Sequence, residues 1–521
     1  MNTTIPSRSV PRAQRGGLAY LLRAEWTKFR TVRGWVLAVV VAALATVLLG
    51  LLTASGSHSS CPEGPCPSPP VGPGGEAVND RFYFVHQPLA GDGSITARLT
   101  SMTGIITYPP PDHDEIVPGL VPWAKAGIIV KQSTEQGSAY AAVMLTGKHG
   151  VRMQNNFTHD TAGRPGGVSA ASPRWLRLTR SGDTLTGYES TDGKQWTKVG
   201  TARLAGLSAT VRVGLFVNSP GDLTVERVGL GGSTGQVRFT QTTAVFDQVS
   251  LHSKAAGGAW SRVEVGDGPG MTDWERFHRP NGLEQSGGTL TVTGTGDIGP
   301  LGAEGGQSIE RTLGGAFAGL IVVIVVAVLF ITAEYRRGLI RTTLLAGPRR
   351  GRVLAAKAIV IGTVTFVAGL AAAGVAVPIC TRILRSNGNY ILPVTLLTEL
   401  RVIVGTAALL AVAAVFALAL GALFRRSVAA VVTAIVVIVV PYILATTSIL
   451  PLGAAQWLLR LTPAAAFAIQ QSIPEYPQVI SHYAPQMGYY PLAPWAGFAV
   501  LCGYTALALG SAVFLLRRRD A

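Results

Sequence analysis

Three groups of residues in this chain have types and spacing suited to chemistry, and none of them is a catalytic constellation. Cys61 and Cys66 stand in CPEGPC. In an oxidising compartment such a pair closes a small disulfide loop, and in a reducing one it stays as two thiols. Trp123, Trp175 and Trp196, with Trp260 and Trp274, offer flat faces on which sugar rings could stack, although tryptophans in a β-rich region more often serve the core. Glu334, Arg336, Arg337 and Arg341 in AEYRRGLIR, with Trp26 and Lys28 in AEWTKFR, place charged and aromatic groups beside apolar runs. Such groups can hold a partner protein, and they can equally set membrane topology or touch lipid phosphates. The DHDE stretch at 112–115 reads as a solvated acidic loop, since neither HExxH nor EF-hand spacing accompanies it. No GxxxxGK followed by Ser or Thr, no CxxC pair and no CxxCH motif occurs, so no metal, haem or other cofactor is expected.

The elements that must position these groups are read from the apolar runs. Residues 313–332 carry no charge, and at 1.5 Å rise per residue that helix crosses the roughly 30 Å hydrocarbon core of a bilayer. Arg336, Arg337, Arg341, Arg349, Arg350, Arg352 and Lys357 follow against the single acid Glu334, so this end is expected in the cytoplasm. The same reasoning yields six spans, 34–54, 313–333, 358–379, 402–424, 428–450 and 495–516, with both termini cytoplasmic. The first span is longer than the apolar core of a signal peptide and starts too late for one, so it reads as a retained anchor.

Residues 1–16 are polar and basic and are expected to be a disordered cytoplasmic tail. Within 1–33, Leu18, Leu21, Leu22, Trp26 and Phe29 recur at helical spacing, predicting an amphipathic helix on the inner membrane surface or a plain basic flank. Residues 451–493 form a large outer segment in which AAQWLLRLTPAAAFAIQQ suits an interfacial helix. Tyr476, Tyr483, Tyr489, Tyr490 and Trp495 suit the headgroup zone.

Composition agrees with a membrane protein: 48% hydrophobic and 14% charged. The net charge of +16 would suggest nucleic acid were it spread over a folded face. It is not so spread. Residues 55–312 carry 21 Lys/Arg and 23 Asp/Glu, whereas the cytoplasmic segments 1–33, 334–357, 425–427 and 517–521 carry 19 Lys/Arg and 3 acids. The charge is a topology signal, and no nucleic-acid partner is expected.

Between the first two spans lies an extracytoplasmic insertion. Residues 55–76 are a Pro/Gly stalk, and 77–255 switch to period-two alternation in short runs such as RFYFVH, SITARLTS, AYAAVMLT and TVRVGLFV. The run WLRLTRSGDTLTGYESTDGKQWTKVG reads as a three-strand meander. This meander, PWAKAGIIVK and VGLFVNSP resemble the concanavalin A-like lectin/glucanase superfamily, which implies an all-β jelly-roll sandwich and an extracellular glycan as a possible partner. Glucanase members use carboxylates alternating along one strand; no such strand is found, so no catalytic residue is carried over. Residues 256–312 are Gly-rich with one strand in GTLTVTG and return the chain to the membrane.

The membrane half resembles the permease subunits of type-2 ATP-binding-cassette (ABC) exporters, particularly actinobacterial ones. The residues concerned are AEWTKFR, AEYRRGLIRTTLLAGPRRGRVLAAK, FRRSVAAVV and the terminal LLRRRDA, in order across all six spans. The resemblance implies a separately encoded ATPase, a second permease subunit, and an ATPase-coupling surface at Trp26, Lys28, Glu334, Arg336, Arg337 and Arg341. No span holds a mid-membrane ionisable group, which disfavours ion-coupled transport. Two other readings stay open: a membrane-anchored glycan or cell-wall receptor, and a tethered glycan hydrolase.

Overall fold

The computed structural model describes residues 17–61, 66–107, 115–228, 232–253, 259–266, 281–336 and 350–518. The 1–16 tail, most of DHDE, Trp274, Arg337 and Arg341 lie outside these residues. The helices are α1 (Leu18–Thr31), α2 (Arg33–Gly56), α3 (Ala316–Arg336), α4 (Arg350–Ser386), α5 (Leu396–Phe424), α6 (Ser427–Thr446), α7 (Leu452–Leu461) and α8 (Pro494–Arg518). Among the described residues six of them, α2 to α6 and α8, are long and apolar enough to cross a membrane.

Their ends depart from the sequence expectation for local reasons. At 37 residues, α4 spans Arg350–Ser386 and is about 55 Å long, reaching well beyond the apolar run of the expected span. Thr395 caps α5 by accepting from the Thr398 N–H, and Arg425 ends it in the left-handed region at φ 56°. In α6 the turn Ile435–Val439 is π-helical, just before Pro441 interrupts the hydrogen-bond ladder, and the helix stops at Thr446 rather than 450.

The bundle core is packed from α3 and α5, with Leu320, Val323, Ile324 and Ala327 against Leu410, Ala413, Ala414 and Ala417. Small residues let the chains approach closely. A Cβ at Gly315 would stand 2.2 Å from the Thr46 carbonyl oxygen of α2, so no side chain fits there. Leu37, Leu48 and Leu52 of α2 and Leu507 of α8 are exposed, as lipid-facing positions must be.

After α7 the chain bends by 100° into a 3₁₀ segment, Pro463–Gln470. The run expected to be one helix is α-helical only over α7, where Trp457 and Leu461 are exposed. All eight residues of Pro463–Gln470 are buried, packed against α5 and α8.

The insertion is a large antiparallel β region built from two sheets packed face to face. One has seven strands, ordered Ser261–Val265, Phe82–Ala90, Thr210–Asn218, Lys125–Lys131, Tyr140–Thr146, Val151–Asn155, His159–Ala162. The other runs Thr197–Arg203, Thr184–Ser190, Arg174–Ser181, Gly93–Thr107, Gly232–Ser253, Thr289–Gly294, Gly282–Ser286, with Ile116–Pro118 and Asp222–Val228 paired off this path. Val85, Ile128 and Val143 of the first interleave with Ile95, Leu176 and Phe246 of the second. The meander of the sequence reading is the run of strands from Arg174 to Arg203, its first turn made at Gly182 with φ 58°.

Alternation fails in Lys125–Lys131 and Tyr140–Thr146, which are buried on both faces. Their second face, shared with Phe82, Phe84 and Phe216 of neighbouring strands, is covered by Phe157 and by the small ribbon of Val78–Asp80 with Ile298–Pro300. The two lysines buried there are neutralised in place: Lys131 Nζ lies 2.6 Å from Asp80 Oδ2, and Lys125 Nζ lies 2.7 Å from Asp297 Oδ1.

The β region is docked on the loops at one end of the bundle. Tyr489 Oη accepts from the Ala303 N–H at 2.8 Å, and Gln478 Nε2 donates to the Phe157 and Thr158 carbonyls. Tyr483 donates to the Tyr476 carbonyl at 2.7 Å. The tyrosines expected in the headgroup zone are packed into the protein: Tyr489 is buried against the return segment at Ala303, Tyr490 is buried in the core of the bundle, Tyr476 and Tyr483 are half-buried, and Trp495 alone of that set is exposed. Cys61 and Cys66 are joined by a disulfide with Cα atoms 5.1 Å apart.

Candidate functional site

At the opposite, basic end of the bundle, α1 lies against the helices instead of continuing α2. Val32 breaks the path with extended backbone, φ −88° and ψ 93°, and α2 restarts at Arg33. The face α1 buries is set by helical spacing: Glu25 and Phe29, four residues apart, are its two buried residues. Phe29 packs on Trp35 of α2 and Phe330 of α3 with centroids 6.2 and 5.8 Å away, and Trp35 meets Phe330 edge-on at 5.0 Å.

Beside this aromatic trio four charges alternate. Lys357 of α4 donates to Glu25 Oε2 and to Glu334 Oε1, both at 2.6 Å. Lys28 donates to Glu25 Oε1 at 3.0 Å and to Glu334 Oε1 at 3.1 Å. The Lys357 ammonium is wholly buried and stands 4.8 Å from the Phe330 ring. The two carboxylates and two ammoniums sum to zero charge, which is what lets the cluster sit away from water. Burial works against the charge on Lys28, yet Glu25 and then Glu334 outweigh it, and its ammonium is held above its ordinary value. Three helices are thereby locked by one cluster, with α2 added through the aromatic trio. Next to it Arg425, at the end of α5, lies 5.4 Å from the Tyr335 ring.

Of these helices, α3, α4 and α5 lie within a stretch that matches a known family, while α1 and α2 precede it. The family model described as ABC-2 family transporter protein matches residues 128–521. The chain belongs to the ABC-2 transporter family. ABC-2 permeases generally work with an ABC ATPase on a partner chain. A multi-pass membrane subunit of this kind is the coarse reading that the family and the six apolar helices give together. No curated protein matches the chain.

Solved structures similar to this ABC-2 chain include a functionally unknown protein from Saccharomyces cerevisiae, 17% identical over 34% of this chain and 76% of that one, with a TM-score of 0.21. Scytalido-glutamic peptidase with a transition state analog inhibitor is 10% identical over 40% of this chain and 97% of that one, TM-score 0.26. The GH43 protein BlXynB from Bacillus licheniformis is 16% identical over 28% of this chain and 26% of that one, TM-score 0.18.

Of the coupling residues expected from sequence, the ABC-2 chain brings Lys28 and Glu334 together, leaves Trp26 47% exposed on the far side of α1, and ends α3 with an exposed Arg336. Glu334 is not on an open surface: it is 6% exposed, drawn inward by the two lysines. Sequence reasoning missed Glu25 and Lys357, the latter counted only as one more inner-side cation. The available signal was scarcity, since Glu25 and Glu334 are the two acids within the basic flanks of the first two spans.

The tryptophans part company. Trp123 is 6% exposed, with its ring stacked on His149 at 4.0 Å, so it has no face for a sugar. Trp260 packs half-buried against the β core. Trp175 and Trp196 do meet, lining an open cleft of about 680 Å³ with Arg177, Thr96 and His252. Their rings already carry partners from this chain: Arg98 lies 5.7 Å over Trp175, and Arg177 lies 3.8 Å over Trp196. No carboxylate lines this cleft among the described residues.

Proposed function

We propose that this chain is the permease subunit of an ABC exporter driven by an ATPase on a separate polypeptide, with both termini in the cytoplasm and residues 55–312 outside. The observation that carries the reading is the Glu25–Lys28–Glu334–Lys357 cluster, which ties α1 to α3 and α4 at the end of the bundle rich in basic residues. A permease must turn a push at its inner surface into a tilt of its spans. A cluster that makes α1, α3 and α4 move as one body does this, since an interface of buried charges shifts as a unit or breaks. Trp26 and Arg336, exposed beside the cluster, together with Arg337 and Arg341 that follow in the sequence, are the surface offered to the ATPase. A second permease subunit, the same chain or a different one, completes the pathway. Affinity purification of the full chain from its native membrane, with ATPase assay and mass spectrometry of what co-purifies, tests this. A soluble ATPase whose hydrolysis depends on this chain is expected; its absence under gentle extraction would sink the reading.

A second role attaches to the β region, which this reading takes as a jelly-roll of the lectin-like type lying outside the cell. The cleft at Trp175 and Trp196 supports a glycan contact, with Arg177 suiting an acidic sugar. Binding of a uronate-bearing polysaccharide lost in Arg177→Ala would support it, and binding unchanged by Arg177→Ala and Trp196→Ala would remove it.

A further inference from the structure

A cavity of about 790 Å³ opens where α5, α7 and α8 meet the loops that carry the β region. Its polar lining is set by Arg401 of α5, Arg460 of α7 and Glu475 of the connecting segment. Neither arginine has a carboxylate within ion-pair distance among the described residues. Each is nonetheless held. Arg401 Nη2 donates to the Gln471 carbonyl at 2.5 Å, and the Arg460 guanidinium lies 5.2 Å over the Trp457 ring. A guanidinium carries five N–H donors in a fixed fork, so both retain donors for an oxyanion.

The rim is apolar and uncovered. Leu397 is 79% exposed and Trp495 63% exposed, and both line the cavity; Trp457 and Leu461, exposed on α7, flank it. On a membrane-spanning bundle such side chains face acyl chains, and exposed tryptophans mark the level of the headgroups. The formal charge of the lining is +1, which one phosphodiester neutralises. A cationic cavity continuous with a lipid-facing surface fits a ligand that is anionic at one end and apolar at the other.

We propose that this cavity seats the phosphodiester headgroup of a membrane phospholipid from the leaflet on the β-region side, its phosphate on Arg401 and Arg460 and its chains along Leu397 and Trp495. The site is separate from the coupling cluster at the other end of the bundle and stands whether or not an ATPase is found.

The test is native mass spectrometry of the detergent-purified full chain titrated with phosphatidylglycerol, using diacylglycerol and glycerol 3-phosphate as separate probes. The wild type is expected to retain one phosphatidylglycerol, and Arg460→Gln to weaken it by about tenfold, as loss of one charge-assisted contact implies. Arg460 is the decisive position because among the described residues its guanidinium rests on the Trp457 ring and makes no hydrogen bond that its loss would break, whereas Arg401→Gln also frees the Gln471 carbonyl. Retention of phosphatidylglycerol unchanged in Arg460→Gln and in the double variant would overturn the proposal. So would equal retention of diacylglycerol, which has no phosphate. Displacement of the lipid by glycerol 3-phosphate at equal concentration would also overturn it, by making this a site for a free phosphate ester.

Discussion

Lys28 of α1 and Lys357 of α4, more than 300 residues apart in the chain, share a single oxygen: Oε1 of Glu334 accepts from Lys357 at 2.6 Å and from Lys28 at 3.1 Å. The other carboxylate oxygen of Glu334 is buried with no hydrogen-bond partner among the described residues. The two lysines are therefore not interchangeable. Lys357, fully buried, neutralises the cluster from inside, whereas Lys28, with 40% of its side chain exposed, closes it from the rim.

Removing the inner cation leaves two buried carboxylates with one partner. Lys357→Met is expected to destabilise the packing of α1 by about 3–5 kcal/mol, and the paired change Lys357→Met with Glu334→Gln to recover much of that loss. Thermal unfolding of the three detergent-solubilised proteins measures it, and a double variant no better than the single one would contradict the shared-charge account.

The outer lysine gives a pH dependence with a definite sign. Its ammonium is held above the ordinary value of 10.5, so the folded state binds that proton more tightly than the unfolded chain. Its contribution is thus fully present below pH 10.5 and lost as pH rises through the folded value. The stability difference between wild type and Lys28→Met should stay flat from neutral pH to about 10.5 and shrink above it. Solvent screening at this half-exposed group keeps the difference small, and a difference that shrinks on acidification instead would reverse the assignment.

The spans were legible because a bilayer imposes length and apolarity on each one separately, and the second, fourth and sixth of them are each followed closely by arginines such as Arg336, Arg425 and Arg517. What lay hidden depends on which distant surfaces meet. Lys357 reads as one more cation of a basic loop until α1 is seen folded back on α4. Pro463–Gln470 and Tyr489 read as interfacial until the β region is placed on top of them. The alternation expected of GIIVKQ fails because both faces of that strand are covered, and an apolar run cannot say by what. Trp175 and Trp196 come together only through sheet pairing.

The buried pair formed by Lys131 of that strand with Asp80 of the ribbon above it yields a third prediction. Burial pushes the Asp80 carboxyl up and the Lys131 ammonium down, and their mutual attraction only partly offsets this. The pair costs desolvation that its partners return incompletely, so each charge is needed mainly because the other is there. Lys131→Met alone should cost about 3–5 kcal/mol, while Lys131→Met with Asp80→Leu should be close to wild type or more stable. Denaturant unfolding of the full chain, followed by near-ultraviolet signals of the β region, distinguishes these outcomes. A double variant as unstable as the single one would mean that the hydrogen bond from the Gly137 N–H to Asp80 at 2.8 Å matters more than the ion pair.

The hold of the β region on the bundle rests partly on one phenol. Tyr489 Oη receives the Ala303 N–H in a buried setting, and Tyr489 meets Tyr483 edge-on at 4.9 Å. Tyr489→Phe keeps the ring packing and strands that N–H, at a cost of about 1–3 kcal/mol. The loss should appear as faster amide exchange around residues 301–305, with exchange in α3 and α5 unchanged. Equal acceleration in α3 and α5 would mean that the phenol supports the bundle itself, and that the β region is held by Gln478 and the apolar contact of Ala77 with Leu392 and Ile473 instead.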